Sequence, residues 1–246
     1  MPSSDEHINE FLSYLHQSIA RIENLCDSAH DSQCRSFKKT LLFSFIDNLS
    51  TLAYPASSLD PARFRRLVTE HGNWDDGHLI SIPHLCRWIE VFPTGLSSEG
   101  AELARNRINE WSDGSFIPIS HDLQYRQIEP YINPANTKAA QGILRLTHAS
   151  LLWNQRHSLI HRFLPSGLGI EFPDDKNPYY IGISSLSSIF DQPEEGRAWQ
   201  LIYPTDFLFH LARQCLAGVS EVLRSRPIDL RSHYRAGLYM WDELNQ

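Results

Sequence analysis

Four long stretches of the chain repeat apolar residues at the spacing of an amphipathic helix, and this pattern restricts the fold more than any other feature. The stretches cover about 6–27, 34–53, 139–162 and 204–225. Apolar side chains three or four positions apart form one stripe along a helix, and that stripe must be buried against another element. In the first stretch the stripe consists of Ile8, Phe11, Leu12, Leu15, Ile19, Ile22 and Leu25. Four such stripes predict a mainly α protein with a helical-bundle core.

The segment of about 55–137 is predicted to be an irregular insertion between the second and third of these helices. Asp60-Pro61 opens a short helix, because proline favours the first helical position. Residues 81–91 and 96–111 carry two further helical patterns, and three prolines interrupt the sequence after them. No internal repeat or low-complexity linker divides the chain, so residues 1–246 are expected to form a single domain.

A small antiparallel β excursion is predicted at about 168–203. Residues 169–172, 179–183 and 199–203 are rich in β-branched and aromatic side chains, which favour strands. The polar run 174–177 supplies a turn between the first two. A further short helix is expected within 228–246.

Composition limits the class of protein. A net charge of -7 argues against nonspecific coating of nucleic acid. No apolar run approaches the ~20 residues that span a bilayer, and the first residues lack the pattern of a secretion signal. Cys26, Cys34, Cys86 and Cys215 form no C-x-x-C pair, so reduced thiols are expected. These features predict a cytoplasmic protein without a membrane partner.

The end of the third helical stretch concentrates cationic and titratable side chains. Asn154, Arg156, His157, His161 and Arg162 lie within nine residues, and Pro165 and Gly167 stop the helix just beyond them. Arginine presents a planar fork of donors that matches phosphate oxygens. Histidine exchanges a proton near neutral pH. Together they indicate a site for a phosphate group.

The same side chains also fit a structural role or a metal site. Arg156 and His161 are five positions apart, or about 140° around a helix, so they do not lie directly above one another. They can converge on one phosphate if the helix loosens at its end or if a twofold partner brings a second pair close. Spacing alone favours a structural role, with Arg156 paired to a carboxylate and His161 near a helix end. His157 and His161 share a face as zinc ligands do, but Ser158 replaces the general-base glutamate of H-E-x-x-H and no third ligand is evident. No G-x-S-x-G elbow or glycine-rich phosphate loop is present.

The segment Arg156-His157-Ser158-Leu159-Ile160-His161 resembles the R-x4-6-H motif of the HEPN superfamily, in which a polar residue commonly follows the arginine. The segment 45–55 is similar to the second helix of large plasmid- and integron-associated members. The resemblance implies a HEPN-like four-helix bundle core. It also implies a metal-independent endoribonuclease without a cofactor, acting as a homodimer on RNA, and often a toxin or phage-defence effector. A further possibility is the toxin half of a pair that a separately encoded antitoxin protein neutralises.

The resemblance also assigns roles to residues. The ribose 2′-OH attacks the adjacent phosphate, Arg156 stabilises the developing charge, and His161 assists proton transfer or orients the hydroxyl. Asn154, His157 and Arg162 are expected to support them. The competing hypothesis is a non-catalytic HEPN-like dimer that binds nucleotides, RNA or a protein.

Overall fold

The computed structural model describes residues 4–25, 32–55, 60–112, 115–162, 171, 176–183 and 198–225. In these residues the protein is mainly helical with small antiparallel sheets, as the sequence predicted. The first two predicted helices are confirmed as α1 (Ser4–Glu23) and α2 (Ser32–Ala53). The last one is confirmed as α9 (Thr205–Ser225).

The stretch 55–137 is more regular than expected. It contains α3 (Asp60–Glu70), α4 (Ile82–Val91), α5 (Ser98–Asn109) and the single turn α6 (Tyr125–Ile128). Several of its side chains are completely buried: Phe64, Leu67, Ile82, Leu85 and Ile128. This part of the chain therefore belongs to the core.

The predicted helix at 139–162 is wrong as one element, because it forms two: α7 (Thr137–Leu144) and α8 (His148–Arg162). The break occurs where the chain pairs with residues 80 and 81. The carbonyl oxygen of Leu146 accepts a hydrogen bond from the backbone N–H of Ser81, with an N···O distance of 3.1 Å. Thr147 forms a bridge with Ile80, and its Oγ1 accepts a hydrogen bond from the Ser150 N–H (3.3 Å). Thr147 thus starts α8 as an N-terminal capping residue.

Two small sheets complete the described structure. Strand β1 (Leu79–Ile80) pairs with β3 (Leu123–Gln124). The other sheet has the order β2 (Phe116–Pro118), β4 (Tyr179–Ile183), β5 (Ala198–Ile202), with antiparallel pairing throughout.

The strands predicted at 179–183 and 199–203 are confirmed within one residue. The third strand of their sheet comes from 116–118, which the sequence placed in the irregular insertion. Of the strand predicted at 169–172 only residue 171 is described, and it lies outside any strand. The remainder of that prediction and the helix expected within 228–246 fall outside the described residues.

Helix α2 is the centre of the packing. It contacts α1, α3, α8 and α9, and α1 also lies against α9. Leu42, Phe43 and Ile46 on α2 are fully buried. The four predicted apolar stripes therefore share one core. Among the described helices, none combines the length and apolar character needed to cross a bilayer.

The cysteines differ from expectation. Cys86 and Cys215 are free thiols. Cys34 is disulfide-bonded, so the prediction of reduced thiols is wrong at this position.

Candidate functional site

Helix α8 carries the predicted motif at its C-terminal half. The helix packs on α2 and α3, and its buried face includes Ala149, Leu152 and Leu159. This packing leaves Asn154, His157 and His161 exposed, whereas Arg156 is partly buried. The motif therefore lies where a fixed helix face meets solvent.

Arg156 is held from three sides. Its Nη2 donates a hydrogen bond to Asp47 Oδ2 on α2, its Nη1 lies 3.4 Å from His161 Nε2, and its guanidinium carbon lies 4.6 Å from the ring centroid of Trp153. The Arg156 and Asp47 side chains are 14% and 21% exposed. Since both charges are partly desolvated, their attraction is stronger than that of a surface ion pair.

The two histidines of the motif also come together. The rings of His157 and His161 are 4.6 Å apart between centroids and are tilted by 50°. The structure thus gathers Arg156, His157 and His161 into one cluster, although five positions separate the first and last. The long arginine side chain bridges the angular separation. Within the described residues, no group of three potential metal ligands forms around these histidines or elsewhere.

Two polar atoms of the ion pair have no hydrogen-bond partner in the described structure. Arg156 Nε and Asp47 Oδ1 are both buried and unsatisfied. A buried polar group without a partner costs on the order of 1–3 kcal/mol. The hydrogen-bonding capacity of the ion pair is therefore not fully used by the described protein groups.

Asn154 does not join this cluster. It precedes Arg156 by two positions, which places it about 160° away around the helix. It instead lines a cleft of about 380 Å³ between α8, β5 and the start of α4, together with His84, Gln155, Ser158, Gln200 and Tyr203. No contact in the described structure therefore joins Asn154 to Arg156 in the supporting role that was predicted. Arg162 is the last residue of α8, and its side chain lies outside the described part of the structure.

A buried polar network lies behind this cleft, and the sequence patterns did not indicate it. The side chains of Asp122 and His148 have no exposed surface, and His148 Nε2 lies 2.6 Å from Asp122 Oδ2. Tyr180 donates its hydroxyl proton to Asp122 Oδ2 (2.5 Å), and the Ile82 N–H donates to Oδ1 (2.9 Å). His148 Nδ1 lies 2.9 Å from the hydroxyl of Tyr203.

The network reaches the cleft through Ser81 and His84. Tyr180 Oη lies 2.7 Å from Ser81 Oγ, which in turn lies 2.7 Å from His84 Nδ1. His84 is partly buried in the first turn of α4, where it lines the cleft. Burial lowers the pKa of His84 to about 4, with a smaller contribution from His148. Burial also raises the pKa of Tyr180 and of Tyr203.

No sequence signal identifies this network. Its members come from five separate parts of the chain, and each is unremarkable in its local pattern. For Asp47 the signal in the sequence is only indirect. This residue lies in the segment 45–55, which resembles the second helix of large HEPN members, but no motif singled it out. Comparison with protein-family models, curated proteins and solved structures finds no match for this chain.

Proposed function

We propose that this protein is a metal-independent endoribonuclease of HEPN type, with Arg156 and His161 as its catalytic residues. The main support is the approach of Arg156 Nη1 to His161 Nε2, 3.4 Å apart at the solvent-facing end of α8. A guanidinium that donates hydrogen bonds to phosphate oxygens thus lies beside a proton-transfer group, as cleavage of RNA requires.

The chemistry follows from these two groups. The ribose 2′ oxygen attacks the neighbouring phosphorus, a 2′-O–P bond forms, and the P–O5′ bond breaks. The 2′ proton is lost as the bond forms, and the departing 5′ oxygen gains a proton. Arg156 stabilises the charge on the nonbridging oxygens. His161 transfers a proton or orients the 2′-OH, and the products are a 2′,3′-cyclic phosphate and a free 5′-OH.

Asp47 fits the proposal as a positioning residue. By holding Nη2 it fixes the plane of the guanidinium and leaves Nη1 beside His161. A preorganised donor needs little reorganisation energy when charge develops in the transition state. His157, with its ring against that of His161, supports the same arrangement.

The same ion pair favours the second candidate function, a non-catalytic dimeric module that binds nucleotides, RNA or a protein. A carboxylate already neutralises Arg156, so a phosphate must share the guanidinium with Asp47. In that case Arg156 mainly ties α8 to α2, and His161 contributes to a binding surface.

Cleavage of RNA by purified variants distinguishes the two. Arg156→Ala and His161→Ala should each lower the rate about 10²–10³-fold, while circular dichroism shows unchanged helix content. Arg66→Ala and His210→Ala are matched controls, because both residues are exposed and lie on other helices. Cleavage should persist in a chelator, leave a 2′,3′-cyclic phosphate, and stop when the cut site carries a 2′-deoxy sugar.

Two outcomes contradict this mechanism. If the wild-type protein cleaves no RNA and the substitutions change nothing in cells, the binding module replaces the nuclease. If a chelator abolishes cleavage and zinc restores it, His157 and His161 are metal ligands instead.

We further propose a HEPN-like four-helix core and a homodimer that brings two motif regions together across a twofold axis. The biological role proposed with it is that of a cytoplasmic toxin or defence effector with a separately encoded antitoxin. Light scattering in dilute buffer should give twice the mass of one chain. A strict monomer at micromolar concentration argues against a composite site.

A further inference from the structure

A second cleft, of about 610 Å³, lies between the C-terminal part of α4 and α7. It shares no lining residue with the cleft beside Asn154. Its position is also separate from the motif. Arg145, on its rim, precedes the start of α8 at His148, and Arg156 lies about 12 Å further along that helix.

Two aromatic rings form one wall of this cleft. Trp88 on α4 and Phe92, the residue just after its end, are four positions apart, with ring centroids 5.4 Å apart and an interplanar angle of 36°. Phe92 is 51% exposed. Trp88 is partly buried against the core. An aromatic pair with one exposed ring in a cleft is a common feature of binding surfaces.

Close backbone approach fixes the position of Trp88. A Cβ atom at Gly95 would lie 2.1 Å from the ring, and one at Gly142 would lie 2.9 Å from the indole Nε1. A side chain at either of these two positions would collide with the Trp88 ring. Trp88 is therefore closely packed, and a fixed ring in the wall lowers the entropic cost of placing a flat ligand against it.

Two cations, from α7 and the residue after it, also line the cleft. Lys138 and Arg145 are both exposed, and in the described part of the chain neither pairs with a carboxylate. The residues lining the cleft include no aspartate or glutamate, but they include the amides of Asn136 and Gln141. In a chain of net charge -7 this is a local concentration of positive charge.

We infer that this cleft binds single-stranded nucleic acid, with a base on the Trp88–Phe92 wall and phosphates on Lys138 and Arg145. A single strand presents a flat ring and an anion in every nucleotide, and it is recognised by aromatic platforms beside cations. An acidic peptide satisfies the cations but leaves the aromatic wall unused. The inference goes beyond the proposed function, because it concerns binding at a site away from the motif and does not depend on cleavage.

Fluorescence anisotropy with a 5′-labelled oligodeoxyadenylate of about twelve nucleotides, within the span that one such binding site covers, tests this inference. The probe lacks 2′-OH groups, so the proposed nuclease chemistry cannot consume it. Phe92→Ala should weaken binding between about fivefold and about a hundredfold, the range for loss of one stacked base. Val91→Ala, on the neighbouring exposed side chain of the same helix, should leave the affinity unchanged.

The salt dependence tests the cations. Each phosphate contact to a single strand contributes about 0.7 to the slope of log K against log salt. Lys138→Gln combined with Arg145→Gln should therefore lower that slope by about 1.4. Arg105→Gln combined with Arg126→Gln removes the same charge from exposed positions outside the cleft and should change the slope little.

Absence of oligonucleotide binding at about 50 mM salt, the low end of the range in which such contacts are strongest, overturns the inference. It is also overturned if Phe92→Ala and the double variant behave like their controls. If polyglutamate binds and loses affinity in the same variants while the oligonucleotide does not, the cleft belongs to an acidic protein partner. The two proposals can be tested separately with Arg156→Ala. This variant should lose cleavage but bind the oligonucleotide with unchanged anisotropy, because Arg156 lies outside the second cleft.

Discussion

His84 makes the stability of this protein depend on pH. The ring joins a buried network through Ser81, and burial lowers the pKa of His84 from 6.5 to about 4. The neighbouring His148 lowers it further, and Asp122 opposes the change. In the unfolded chain the imidazole regains its ordinary pKa, so between pH 6.5 and 4 the unfolded state binds the proton and the folded state does not.

The sign and size of the effect follow. Because the folded-state pKa is depressed, the free energy of unfolding is highest above pH 6.5 and falls as the pH drops through this window. A full separation from 6.5 to about 4 corresponds to about 3 kcal/mol. Between about pH 7.5 and about pH 4.5, most of it, about 2.5 kcal/mol, should be lost.

Urea unfolding followed by circular dichroism at several pH values across this range, about 7.5 to about 4.5, measures the change. His84→Gln removes the titrating group and should flatten the pH profile by about 2.5 kcal/mol. His78→Gln is the control, because His78 is exposed and lies outside the network. If His84→Gln keeps the wild-type slope, His84 is protonated in the folded protein and its pKa is not depressed.

Three further substitutions test the structure and the site. Asp122→Asn should lower the free energy of unfolding by about 3–5 kcal/mol, because it leaves buried donors facing an amide. A variant that is equally stable in urea unfolding refutes the network. Phe64→Ala should cost about 3–5 kcal/mol, because the ring is fully buried on α3; a loss below about 1 kcal/mol shows that the site collapses around the gap. Asp47→Asn should lower the kcat of RNA cleavage more than it changes KM, with partial rescue by Asp47→Glu. An unchanged kcat removes Asp47 from the proposed positioning of Arg156.

The long helices were predictable because their determinants are local. Apolar spacing marks α1, α2 and α9 within a few residues of their observed bounds. The strands β4 and β5 were also predictable, since β-branched and aromatic residues concentrate in both. The fold keeps these elements because each apolar face packs against the apolar face of a neighbouring element.

The break between α7 and α8 was not predictable, because it depends on a distant segment. Apolar residues continue at helical spacing through 139–162. In the structure, however, the backbone of Leu146 is hydrogen-bonded to Ser81, and Thr147 forms a β-bridge with Ile80. The third strand of the larger sheet, β2, also depends on a distant segment. Its three residues are too few to show a period, and they form a strand only because β4 lies beside them.

The candidate site divides in the same way between local and distant causes. Position along the chain was enough to place Arg156, His157 and His161 at the end of one helix, because five positions span only about 7.5 Å along a helix axis. The packing of distant segments brings Asp47 to Arg156, turns Asn154 toward a different cleft, and joins Asp122 to His148 inside the core. The Arg156–Asp47 and His148–Asp122 contacts link residues 26 or more positions apart, and their formation depends on how distant segments pack rather than on any local pattern.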